Sequence, residues 1–211
     1  MPEPLEDLHG TRPVLDSEVA FRGRVWDVRS ERVDLGDAGV VTRDFVAHTG
    51  AVAVVALDER DRVVLVQQYR HPVRATEWEL PAGLLDIADE PPHDTAAREL
   101  AEETDLRAEQ WHVILDHNTS PGGSSEVLRI YLARGLSAVP DDERHVRDGE
   151  ELGMPVRRVP LDELVKAALA GRVHNATLII GALAASSLRA RGWEGLRRAD
   201  APWPTRSPGR G

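Results

Sequence analysis

GLLDIADEPPHDTAARELAEETDL, from Gly83 to Leu106, leads from a glycine turn through a loop into a short helix crowded with carboxylates. Glu99 and Glu103 are four apart and Glu99 and Glu102 three apart, so on a helix all three leave roughly one side. Like charges so placed repel by about a few tenths of a kcal/mol per pair unless a cation sits among them. The two readings are a metal site and a solvated acidic face, and the rest of the stretch decides for the metal.

Composition narrows the classes. The 211 residues can bury a real core, as one large domain or one domain with a smaller extension. A net charge of −10 argues against a nucleic-acid backbone or an acidic membrane as the main partner. An anionic small molecule stays open, because a bound divalent cation inverts the local field. There are no cysteines, which excludes disulfides and thiolate chemistry and fits a cytoplasmic location. MPEPLEDLHGTRP lacks the apolar core of a secretory signal. The longest apolar stretch, Ala176 to Ala185, falls short of the roughly 20 residues of a membrane span.

Outward from the carboxylate helix, VWDVRSERVDL and VVTRDFVAH alternate around a turn at Gly36, Asp37 and Gly39, which predicts antiparallel strands with one buried face. Trp26 and Phe45 are read as core of that sheet or as flat faces for a ligand ring. AVAVVAL (51–57) and VVLVQQ (63–68) read as buried strands joined by a charged turn. Arg70, His71 and Arg74 are loop charges or phosphate contacts, a role guanidinium suits through paired hydrogen bonds. WHVILDH (111–117) and VLRIYLA (127–133) are strands flanking the loop NTSPGGSSE, and the acidic segment 139–152 is expected to be mobile without ligand. MPVRRVP (154–160) reads as a strand. Helices are expected over Leu161 to Ala170, stopped by Gly171, and from Ala176 to about Arg191, capped by Asn175 and ended by Gly192. The order of elements predicts an α/β (α+β) fold, a mixed sheet between helical layers. Residues 1–16 are expected to form a flexible lead, 17–48 a small β-strand domain, 49–192 the main domain and 193–211 a disordered tail.

Gly83 to Leu106 resembles the Nudix box, the signature of hydrolases acting on nucleoside diphosphates linked to another group. That pattern is a glycine, five residues, Glu, seven residues, Arg-Glu-aliphatic, one residue, Glu-Glu, one residue, Gly, aliphatic. Six residues separate Gly83 from Glu90 here, so Asp89 is the residue that would keep the usual spacing; Asp105 replaces the late glycine. Asp is one of the few residues that adopts the left-handed conformation of a helix cap. The resemblance implies a Nudix-type α/β/α sandwich preceded by a small antiparallel sheet. It implies a structural Gly83, a structural ion pair between Glu90 and Arg98, and Mg²⁺ or Mn²⁺ held by Glu99, Glu103, Glu102 and the carbonyl of Ala82. Carboxylate oxygens are hard ligands suited to those ions.

QYR at Gln68 to Arg70, WELPAG at Trp78 to Gly83 and Pro121 are similar to the ADP-ribose pyrophosphatase branch. That likeness implies a general base on the loop DGEELGMP, Glu151 first and Glu150 second. It implies substrate contacts at Arg43, Arg70 and Glu79, with Trp26 as ring partner for adenine. It also implies a homodimer with exchanged N-terminal sheets. The expected reaction is Mg²⁺-dependent hydrolysis of ADP-ribose to AMP and ribose 5-phosphate. Another nucleotide sugar as substrate, or a non-catalytic ADP-ribose-binding sensor, are the alternatives; retention of Glu99, Glu102 and Glu103 weighs against the sensor.

Overall fold

The computed structural model describes residues 5–147, 149 and 152–206. The chain divides into two units, one of Met1–Thr49, Asn118–Val127 and Trp203–Gly211, the other of Gly50–His117 and Leu128–Pro202.

In the first unit, Val14–Phe21 (β1), Asp27–Asp34 (β2) and Val40–Ala47 (β3) form an antiparallel sheet in the order β1-β2-β3. The link between β2 and β3 is a 3-10 turn at Gly36–Ala38, where the Asp34 carboxylate accepts the Gly36 N–H at 2.8 Å and Gly39 takes φ 83°. Two expectations change. The first strand begins at Val14, opposite Val33, three residues inside the expected lead. None of the three strands carries a fully buried residue, because the unit's described residues include no α-helix to cover the sheet.

The second unit is built on AVAVVA, Ala51–Ala56 (β4), buried at every residue. The absence of alternation follows from coverage on both faces. Arg62–Arg70 (β5), Ala75–Glu79 (β6), Ala82–Leu84 (β7), Leu106–Asn118 (β8), Val127–Ala138 (β9), Val156–Pro160 (β10) and Arg197–Arg198 (β11) complete the strands among the described residues. β4 lies at the heart of a mixed sheet ordered β11-β8-β9-β4-β7, parallel to β9 and antiparallel to β7; β5 pairs with β10 and β6 in a second sheet. Pro92–Thr104 (α1) packs on β4 and β7, Leu161–Leu169 (α2) on Ala176–Ala190 (α3), and α3 on β4 and β6. Val55, Leu80, Ile130, Leu132, Leu161 and Leu178 form the common core. A Cβ at Gly181 would stand 2.8 Å from Leu80, so glycine there lets α3 close on the sheet. Asn175 caps α3 by accepting the Leu178 N–H at 2.9 Å. No helix among the described residues is long and apolar enough to cross a membrane.

The expected disordered tail is overturned for its described part. β11 pairs with β8, Arg197 opposite Val113. Arg129, buried on β9, donates to both carboxylate oxygens of Asp116 at 2.6 and 3.0 Å, to the carbonyl of Ala201 at 2.8 Å and to that of Pro202 at 3.0 Å. A buried guanidinium has to be paired and hydrogen-bonded. The terminal segment supplies two of its acceptors and is held in return, a demand invisible in the segment's own composition.

Candidate active site

Helix α1 starts where Pro92 occupies its first turn, a position that needs no N–H donor, and the carbonyl of Pro91 accepts from Asp94 and Thr95. Thr95, Ala96 and Leu100 turn to the interior and Glu103 is buried beside them, while Glu99 and Glu102 are half-buried on the same helix. The helix ends at Asp105, φ 55° and ψ 33°, whose N–H bonds the carbonyl of Ala101 at 3.0 Å. The aspartate in the glycine position therefore adopts the left-handed cap.

Ahead of the helix the extra residue is absorbed by Asp89, itself left-handed at φ 63°. That turn leaves Glu90 as the partner of Arg98. Arg98 Nε and Nη2 each donate to Glu90 at 3.0 Å, and Thr95 Oγ1 adds a 2.8 Å bond. The guanidinium holds the Glu90 carboxyl below its ordinary range, and Glu90 in turn raises that of Arg98.

Two carboxylates converge on the backbone of β7. Glu103, buried, accepts the Ala82 N–H at 3.1 Å. Glu99 lies over Gly83 so closely that a Cβ there would overlap its carboxylate. Glu102 points instead to Arg98, whose Nη1 donates to Glu102 at 3.0 Å and to Glu99 at 2.8 Å. Among the described residues, no three carboxylate or imidazole groups form a ready metal cluster as they stand. The three carboxylates thus have different partners, Glu103 on β7, Glu102 on Arg98 and Glu99 between the two, because the arginine supplies the positive charge that adjacent carboxylates require.

Arg70 on β5 reaches Glu79 on β6, with Nε donating to Oε1 at 2.8 Å and Nη2 to Oε2 at 2.7 Å. Glu79 is buried and its partner half-exposed, so the carboxylate presents the guanidinium outward. In the first unit, Trp26 stacks on His48 at 4.9 Å between ring centroids and 24° between planes. Burial lowers the His48 pKa, against the opposing pull of Glu126 at 3.4 Å. Arg43 is exposed on β3 and bonds the carbonyl of Thr42; Pro121 is exposed in the 118–127 loop. Glu150 and Glu151 lie outside the described residues.

Sequence reasoning missed His48, for which no pattern spoke, and Arg147, one of several charges in an acidic run. Arg147 donates from Nε to the carbonyl of Glu102 and from Nη2 to Asp105, both at 2.8 Å.

The glycine, ion pair and carboxylates so arranged on a mixed sheet define a Nudix domain, and a NUDIX domain model matches residues 47–179; the chain belongs to that family and is a Nudix hydrolase. It is 42% identical over 189 residues to an ADP-ribose pyrophosphatase of Mycobacterium tuberculosis, covering 90% of this chain and 89% of the relative. It is 34% identical over 166 residues to a methanol dehydrogenase activator of Bacillus methanolicus, covering 79% and 88%. A solved structure described as an ADP compounds hydrolase superposes with a TM-score of 0.71 at 19% identity, over 89% of this chain and all of that one, and shares the fold.

Proposed function

We infer that this protein hydrolyses the diphosphate of ADP-ribose, giving AMP and ribose 5-phosphate. The observation that carries the reading is the convergence of Glu99 and Glu103 on the Ala82–Gly83 backbone, joined to the likeness to the mycobacterial pyrophosphatase over nine-tenths of the chain.

The residues fit a divalent cation. Glu99, Glu102, Glu103 and the Ala82 carbonyl offer only hard oxygen donors, and the missing Cβ at Gly83 leaves room for the Glu99 carboxylate. Nudix pyrophosphatases of this branch work with a divalent metal; here we assign Mg²⁺, with Mn²⁺ as substitute. When bound, it neutralises phosphate oxygens and acidifies a water. Arg98 balances the carboxylates' charge and is fixed by its two bonds to Glu90; Glu99 and Glu102 would be among the groups that hold the cation. Arg70, oriented by Glu79, presents its exposed edge to the diphosphate. The base that takes the proton of the attacking water is assigned to Glu151, with Glu150 second. Trp26 is assigned to the adenine ring, Arg43 to a phosphate and Pro121 to a substrate contact. The 17–48 segment, exposing Phe21, Trp26 and Val40, is assigned to dimer formation.

The test is a product assay over ADP-ribose, NADH, ADP-glucose, GDP-mannose and diadenosine polyphosphates, with and without Mg²⁺. AMP and ribose 5-phosphate formed fastest from ADP-ribose, only with metal, are expected. Glu103→Gln should lower that rate by about 10²–10³-fold with the fold intact. Faster cleavage of another member of the panel overturns the substrate, and a flat response to all overturns the hydrolase reading.

A further inference from the structure

Asp105 is a junction of three bonds. Its N–H closes α1 on Ala101, its carbonyl accepts the Val139 N–H at 2.9 Å, and its carboxylate accepts Arg147 at 2.8 Å. Residue 139 opens the segment that follows β9 and residue 147 lies eight positions on, so one residue fastens this stretch at two points. A second bond from Arg147 reaches the carbonyl of Glu102, an acceptor that the helix end leaves without an intrahelical partner. Both charged groups are about three-quarters buried, with 23% and 27% of their side chains exposed, which separates this pair from a surface ion pair of little worth. A glycine at 105 would make the first two bonds with less backbone strain but not the third. The departure from the box pattern therefore has a physical return, an anchor for Arg147.

We propose that Asp105 and Arg147 form a clasp that fixes the loop after β9 to the C-terminal end of α1, and that Arg147 is a positioning residue for hydrolysis. The proposal rests on the Nudix reading of α1. Arg147 bonds the carbonyl of Glu102 and the cap residue Asp105, and so holds the end of the helix that carries Glu99, Glu102 and Glu103. Small misplacements of a reacting group cost rate rather than binding.

The experiment is the series Asp105→Asn, Asp105→Gly and Arg147→Ala in the full-length protein. A cap role alone ranks stability Gly first, because glycine takes a left-handed cap most easily, and leaves turnover level. The clasp ranks turnover the other way, Asp above Asn above Gly, since Asn retains one acceptor. Asp105→Gly and Arg147→Ala are expected to lower kcat by about ten-fold with KM within about two-fold, and to be less than additive together. Amide exchange across 139–147 should quicken in both, with no substrate present. Level kcat across the series, or unchanged exchange, overturns the clasp. Wild-type protein inactive on ADP-ribose overturns only the substrate assignment; exchange then tests the clasp directly, and kcat is read on the panel substrate that is cut.

Discussion

The carboxylate of Glu99 rests on the α-carbon of Gly83, in space that any side chain at 83 would fill. The glycine is thus required by its neighbour and not by its backbone, since its φ is not among the positive ones.

Gly83→Ala accordingly displaces the end of a flexible side chain and leaves β7 in place. Turnover is expected to fall about 10²-fold while the melting temperature moves only a few degrees. Steady-state kinetics beside a thermal melt would check this, and a large fall in melting temperature with normal turnover would contradict it.

Glu90 and Asp89 are adjacent acids with opposite expectations. Glu90→Gln removes a charge from a bidentate pair and is expected to cost about 1–3 kcal/mol. Asp89→Gly relieves a left-handed residue and should be neutral or stabilising by up to about 1 kcal/mol. Urea midpoints of the two variants decide it; equal losses would mean that either acid serves Arg98.

Asp58 ties the turn between β4 and β5 to β10. It accepts the N–H groups of Arg60 and Arg62, the Arg62 guanidinium and, at 3.3 Å, Arg158. Burial pushes its pKa up, but the bonds from Arg62 and Arg60 outweigh burial and leave it below the ordinary 3.8. A carboxyl whose folded pKa is depressed contributes stability that is full above the unfolded value and lost as pH falls through the folded one. Wild type should therefore lose more stability than Asp58→Asn as pH is lowered below 3.8. Denaturation curves with the same slope against pH for both proteins would refute this.

The strands at 51–57 and 63–68 and both late helices were legible because each carries its own periodicity or cap, Asn175 being the clearest case. The Glu90–Arg98 pair and the left-handed Asp105 were legible because the spacing of the box names the residues and helix geometry does the rest. What stayed hidden depends on partners distant in sequence. Arg129 needs the carbonyls of residues 201 and 202, Arg147 needs Asp105, and Trp26 lies on His48. No local window contains both members of any of these pairs.

The parallel pairing of β4 with β9 sets the order in which this chain can mature. Ala51 pairs with Leu128 and Ala56 with Ala133, so the most buried strand waits for a neighbour more than seventy residues later. During synthesis β4 emerges early and stays uncovered on that side until β9 follows. Non-local closure of this kind is slow and leaves apolar strand edges open to association. The charged link DERDR, directly after the apolar run, keeps that nascent segment in water until its partner arrives.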